Sequence, residues 1–252
     1  MEHGRYWDKV VQAWPQTAAQ RLLRAYSDAV NRAWLERELP ARAGRVLKTD
    51  AFDEAVGRGL VDVLLQRSED VTVVDVAPAI AEVAARAYPD CRVDVADLRA
   101  LPYGEGSFDT VVSNSTLDHF GTEADIVRAL GELQRVLVPG GLLLISLDNL
   151  ANPLVALRNA LPQRALIRAR LVPHYVGKTY GPRGLRRIVT AAGFEVGRVE
   201  ALMHVPRVAA VAAAALGGGE GVTAWIVSLE RLGRAPTRFV TGQFVAARAI
   251  RR

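Results

Sequence analysis

From Arg45 to Leu147 the chain alternates short apolar runs with amphipathic helical stretches, and this rhythm constrains the fold more than any other feature. Arg45-Val-Leu-Lys-Thr49, Val71-Thr-Val-Val-Asp75, Arg92-Val-Asp-Val-Ala96, Phe108 to Ser113 and Leu142 to Leu147 read as five strands. Ala51 to Arg67, Pro78 to Tyr88 and Glu123 to Val138 read as helices, with Pro78 in a first turn. Such alternation predicts a parallel sheet covered on both faces. Right-handed crossovers then make it a doubly wound α/β fold.

The flanks are different. Residues 16–38 place Leu22, Leu23, Tyr26, Val30, Trp34 and Leu35 at helical spacing, and Pro40 and Gly44 close that stretch. Residues 1–43 therefore read as an N-terminal helical cap on a core spanning 44–150. Three of the four tryptophans, Trp7, Trp14 and Trp34, lie in the cap. They serve either as a pocket lid or as packing against the domain, and packing is the expectation. Residues 151–182 form an insert after strand five. It has a helix-like stretch from Pro153 to Leu171 and a polar loop from Pro173 to Pro182. Residues 183–252 complete the domain with a helix from Gly184, strands at Phe194–Val199 and Gln243–Ile250, and helical sequence over 206–233. Two final strands after a long insert predict an antiparallel closing pair.

Composition excludes several classes. The 252 residues are half hydrophobic and 23% charged, which suits a packed core and not disorder. A single cysteine, Cys91, leaves no disulfide framework and no cysteine-built zinc site. Four scattered histidines show no metal-ligand spacing, so no metal is expected. The net charge is +5, but only Lys9, Lys48 and Lys178 are lysines among 32 basic residues. An arginine bias of that size reflects codon usage and does not argue for nucleic acid. The opening MEHGRYWDK has no apolar stretch behind it, and Val208 to Leu216 is too short to span a bilayer. A cytoplasmic protein without nucleic-acid partners is the expectation.

In an open parallel sheet ligands sit beyond the carboxyl ends of the strands, so the residues ending each strand carry the functional information. They are Lys48, Thr49 and Asp50; Asp75 and Val76; Asp97 and Leu98; and Asn114 to His119. An acid such as Asp75 at the end of strand two accepts two hydrogen bonds from a ribose diol. Asp97 and Leu98 suit an adenine amino group and ring face. His119 is the candidate general base. His174, Tyr175 and Tyr180 in the insert are candidate substrate contacts. Arg158, Arg164, Arg168 and Arg170 among leucines form a basic amphipathic stretch, suited either to a solvated face or to an anionic membrane or lipid-like substrate.

Val74-Asp-Val-Ala-Pro78, Val95-Ala-Asp-Leu-Arg-Ala-Leu-Pro102, Ser107-Phe-Asp-Thr-Val-Val-Ser-Asn114 and Glu132-Leu-Gln-Arg-Val-Leu-Val-Pro-Gly-Gly-Leu-Leu-Leu-Ile145 stand in an informative order. Together with Gly181-Pro-Arg-Gly-Leu-Arg-Arg-Ile188 and Ala192-Gly-Phe-Glu-Val196, this order resembles the class I S-adenosylmethionine-dependent methyltransferases. The resemblance implies a seven-stranded Rossmann-like sheet with its last strand antiparallel. It also implies S-adenosylmethionine as cofactor and methyl transfer to a small molecule such as a sugar, lipid or secondary metabolite. By position it implies Asp75 at the ribose, Asp97 and Leu98 at the adenine, Asn114 to Thr116 under the methionine portion, and His119 near the methyl.

The first motif departs from that pattern. Lys48-Thr-Asp-Ala-Phe-Asp-Glu54 replaces the glycine-rich loop, and no glycine precedes Gly57. The crowded acids there disfavour a phosphate-bearing cofactor and are compatible with a cationic sulfonium. A Lys48–Asp50 ion pair is expected, with Thr49 or Asp50 capping the next helix and Asp53 as the return partner. The lost glycines also motivate an alternative, a pseudo-methyltransferase that keeps the fold for binding or assembly.

Overall fold

The computed structural model describes residues 2–14, 17–169, 172, 174–205 and 220–252. Seven strands form one sheet: β1 (Arg45–Lys48), β2 (Asp70–Asp75), β3 (Arg92–Val95), β4 (Phe108–Asn114), β5 (Leu137–Asp148), β6 (Phe194–Leu202) and β7 (Phe244–Arg251). Their order is β3-β2-β1-β4-β5-β7-β6. The pairs from β3 to β5 are parallel, and β7 runs antiparallel between β5 and β6. The expected mainly parallel sheet with an antiparallel last strand is what forms. Strand order reverses between β1 and β4, which places a crevice at their carboxyl ends.

Side-chain alternation along the strands builds two apolar layers. Leu142 and Leu144 of β5, with Val46, Val73 and Val112, face the layer that holds Trp34, Leu60, Leu64 and Ile80. Leu143, Ile145 and Leu147, with Leu47, Val74 and Val111, face the layer that holds Ile126, Leu130, Leu133, Leu185 and Ile188. The covering helices are α1 (Glu2–Gln12), α2 (Ala18–Glu38), α3 (Phe52–Val56), α4 (Val61–Leu65), α5 (Pro78–Ala87), α6 (Glu123–Val136), α7 (Pro153–Ala160), α8 (Gln163–Arg168) and α9 (Pro182–Ala191).

Three sequence expectations change. The helix expected over 51–67 is broken into α3 and α4. Gly59 adopts φ +63 between them, and a Cβ there would lie 2.5 Å from the Glu54 carboxylate. The insert carries two short helices, α7 and α8, because Pro162 interrupts the pattern. The N-terminus adds α1, an unanticipated helix. The expected helical sequence over 206–233 is described only from Glu220, where a helix runs to Ser228 and a 3-10 segment follows over Leu229–Arg234. Arg170, Leu171 and residues 206–219 lie outside the described residues. No helix among the described residues is long and apolar enough to cross a membrane.

Candidate active site

A cavity of about 680 Å³ opens at the carboxyl ends of β1, β2 and β4. Thr49, Asp50, Asp75, Val76, Asp97, Leu98, Asn114 and His119 all line it, so the topology brings the strand-end residues read from the sequence to one place. His174 lines it from the insert. Tyr175 and Tyr180 do not. Tyr175 meets the site through its backbone, and Tyr180 packs into the apolar layer on the α6 and α9 side.

The altered first motif is built differently from expectation. Lys48 is fully buried, and its ammonium donates to Glu54 Oε2 at 2.9 Å and to the Asp50 carbonyl at 2.6 Å. The Asp50 carboxylate is the more distant partner at 3.5 Å. Burial alone would lower the Lys48 pKa, but Asp50, Glu54 and Asp53 outweigh it and raise it above the usual lysine value. The lysine therefore stays charged and neutralised beneath the loop. Glu54 Oε1 meanwhile accepts from the Leu60 and Val61 amides, tying β1 to the start of α4.

The expected capping box is absent. Thr49 Oγ1 bonds Ser113 Oγ and Thr116 Oγ1, and Asp50 Oδ2 accepts from Thr116 Oγ1 at 2.8 Å. Asp53 accepts from Arg24 at 2.7 Å and from Asn114 Nδ2 at 3.2 Å. The Arg24 guanidinium on α2 offers Asp53 a stronger, charge-assisted partner than a backbone amide would. The Ala51 amide is satisfied instead by Asp75 Oδ2 at 2.9 Å.

Asp75 Oδ1 accepts from the Ala77 amide at 2.8 Å. Burial pushes this carboxyl up to about 7, against the lowering effect of those two amides. Asp97 is gripped by Arg99, whose Nη2 donates at 2.6 Å. Asn114 is fixed at both ends of its amide, because Oδ1 accepts from Ser146 Oγ at 2.8 Å. The next residue, Ser115, lines the cavity with φ +52, an uncommon backbone state for a residue with a Cβ.

His119 ends the 3-10 turn Leu117–His119. Its Nδ1 lies 3.1 Å from the Tyr175 carbonyl. A carbonyl only accepts, so the proton sits on Nδ1 and Nε2 is the basic nitrogen. Burial lowers its pKa below the usual histidine value, with the carbonyl bond opposing. The ring packs against Trp7 at 4.5 Å and His174 at 5.3 Å between centroids.

The cap tryptophans divide. Trp34 is core, 1% exposed, with its indole donating to Glu200 at 3.0 Å. Trp7 and Trp14 line the cavity around Phe52. Arg158, read from the sequence as part of the basic stretch, lines the cavity from α7 and pairs at 2.5 Å with Asp148 at the end of β5, a lining residue that was not anticipated. Burial raises Asp148 to about 6, and the nearby Asp118 likewise to about 6. The same rule that picked out Asp75 and Asp97, an acid ending a strand, would have found Asp148.

The comparisons with known proteins agree with this geometry. A family model described as "Methyltransferase domain" matches residues 52–145. Malonyl-[acyl-carrier protein] O-methyltransferase of Halorhodospira halophila is 40% identical over 112 residues, 42% of this chain and 36% of that protein. Probable tRNA methyltransferase 9B of Bos taurus is 44% identical over 55 residues, 22% of this chain and 12% of that protein. The chain thus matches well under half the length of both relatives. The structure of geranyl diphosphate C-methyltransferase from Streptomyces coelicolor A3(2), with Mg2+, geranyl diphosphate and S-adenosyl-L-homocysteine, superposes with a TM-score of 0.59. That match is 18% identical and covers 88% of this chain and 80% of the other. The matched segment, residues 52–145, carries β2 to β4, most of β5 and the strand-end residues Asp75, Asp97 and Asn114, and is similar to a methyltransferase domain.

The geranyl diphosphate C-methyltransferase structure holds S-adenosyl-L-homocysteine, and the cavity of this chain suits a cation. Asp50, Asp53, Asp75, Asp97 and Asp148 line it against two arginines, Arg24 and Arg158. A surplus of carboxylates favours a ligand bearing a sulfonium and an ammonium and disfavours a pyrophosphate. The lysine that would repel such a ligand is withdrawn below the surface by Glu54.

Proposed function

We propose that this chain transfers a methyl group from S-adenosylmethionine to a small-molecule acceptor with an apolar body. One observation carries the reading. A single cavity joins the strand-end acids to a chamber lined by Leu23, Leu157, Leu166, Val176, Met203 and Phe244, with His119 on its wall. On that wall the His119 ring packs against Trp7 and His174.

When bound, the cofactor supplies an electrophilic methyl on a sulfonium. Asp75 holds the ribose, Val76, Asp97 and Leu98 hold the adenine end, and Thr49, Asp50 and Asn114 hold the amino-acid end. His119 Nε2 takes the proton from the acceptor's nucleophilic atom. Trp7, Trp14 and Phe52 exclude water. Fixing two reactants in line supplies most of the rate when the electrophile is already activated. The relative described as a malonyl-[acyl-carrier protein] O-methyltransferase supports an acyl-type acceptor.

Calorimetric titration with S-adenosylhomocysteine, followed by radiolabelled methyl transfer to isoprenoid, acyl and polyketide-like acceptors, tests the proposal. Saturable binding and label transfer are expected. The second reading, a pseudo-methyltransferase, is favoured by Asp50 and Phe52 standing in the cavity where the family has glycines. Silence in the titration selects it.

A further inference from the structure

The rim of the cavity is made of exposed leucines. Leu154 and Leu157 lie three apart on α7, and Leu150 and Leu161 flank its two ends. They are 38, 56, 59 and 43% exposed. They make up four of the ten exposed large apolar side chains among the described residues, within twelve positions. Leu154, Leu157 and Leu161 also line the cavity, so the outer stripe is continuous with the inner chamber. A contiguous exposed apolar stripe marks a docking surface.

The sequence around it carries charge of one sign. From Asn149 to Phe194 the sequence has no aspartate or glutamate, but seven arginines and one lysine. Arg164 and Arg168 on α8 are exposed and form no ion pair among the described residues. Apolar side chains that enter an interface, flanked by cations that stay in the headgroups, are what an anionic bilayer binds.

We infer that the α7–α8 rim docks on an anionic lipid bilayer and admits an apolar acceptor from it into the cavity. The acceptor half of this inference rests on the function proposed above; the docking half does not. An acidic carrier protein would also meet the arginines. A row of leucines opening directly into an apolar chamber favours hydrocarbon, because the acceptor then moves from one apolar medium to another without crossing water.

The test is co-sedimentation of the full chain with phosphatidylcholine vesicles, with and without about one-third phosphatidylglycerol. Partition onto the anionic vesicles, weakened by salt, is expected. Arg164→Gln with Arg168→Gln should weaken it about 25-fold, about fivefold for each basic residue at an anionic surface. Leu154→Ser with Leu157→Ser should abolish it, with circular dichroism confirming that each variant is folded. Absence of partition onto anionic vesicles, equal partition onto neutral ones, an unchanged arginine variant, or capture by an acidic acyl carrier protein with none by vesicles would each overturn the docking. S-adenosylhomocysteine binding is measured in parallel. Binding without vesicle partition sinks the docking alone, and partition without binding sinks the proposed function alone.

Discussion

At the scale of single residues, Asp75 and His119 carry the sharpest expectations. Asp75 already serves two backbone amides, yet each carboxylate oxygen keeps a second lone pair for a ribose hydroxyl. Asp75→Ala should weaken S-adenosylhomocysteine binding by about 1–3 kcal/mol, the cost of leaving buried polar groups unpaired. Hydroxyl donors prefer the ionised carboxyl. Since burial holds Asp75 at about 7, binding should release a proton and strengthen as pH rises through neutrality. A pH-independent dissociation constant contradicts that placement. For His119 the pKa shift runs the other way. A histidine whose pKa is lowered is neutral, and so basic, down to below its usual value. The acid limb of kcat/KM should therefore fall below about 6.5, and His119→Gln should lower kcat with cofactor affinity unchanged. If the limb persists in the residual activity of His119→Gln, it belongs to the Asp118 and Asp148 carboxyls.

At the scale of elements, the strands and their terminal acids were legible because apolar runs and strand-end positions are local properties of sequence. The interior of the first loop was not. Lys48 and Glu54 stand six residues apart across a strand-to-helix turn, and no periodicity places such a pair in contact. The Lys48–Asp50 pairing read from extended geometry was correct as to contact but not as to the main partner. Similarly, Ala51 to Arg67 reads as one helix until Gly59 is seen to need a left-handed backbone over Glu54. The strut has an energetic consequence. Lys48→Met leaves Glu54 buried without its counter-charge, and breaking a buried pair from one side costs about 3–5 kcal/mol. Urea unfolding should show that loss. Lys48→Met/Glu54→Gln should recover part of it, because the double variant buries no lone charge. Full stability in the single variant would mean that the ammonium contributes nothing to holding β1 to α4.

At the scale of the whole molecule, α1 packs on α3 and α5 and lines the cavity through Trp7. Gly4 lets the helix lie directly on the β2–α5 turn, where a Cβ would come within 2.3 Å of the Val76 carbonyl. Asp8 accepts from the Ala79 amide at 3.0 Å, and the Tyr6 hydroxyl accepts from the Tyr175 amide at 2.6 Å. Trp7, 7% exposed, closes over His119, His174 and Phe52. A helix packed on other helices and not paired in the sheet opens at lower free energy than the core strands. A ligand that fills the cavity and touches Trp7 binds the closed form. At about one hundred times its dissociation constant it stabilises that form by about 2.7 kcal/mol. Amide hydrogen exchange in Tyr6 to Gln12 should therefore slow by about one hundredfold when S-adenosylhomocysteine saturates the protein, while exchange in β4 and β5 changes far less. Saturable binding with unchanged exchange over α1 would show that the helix covers an acceptor chamber the cofactor does not reach, and the same measurement repeated with acceptor present would then locate the closing step.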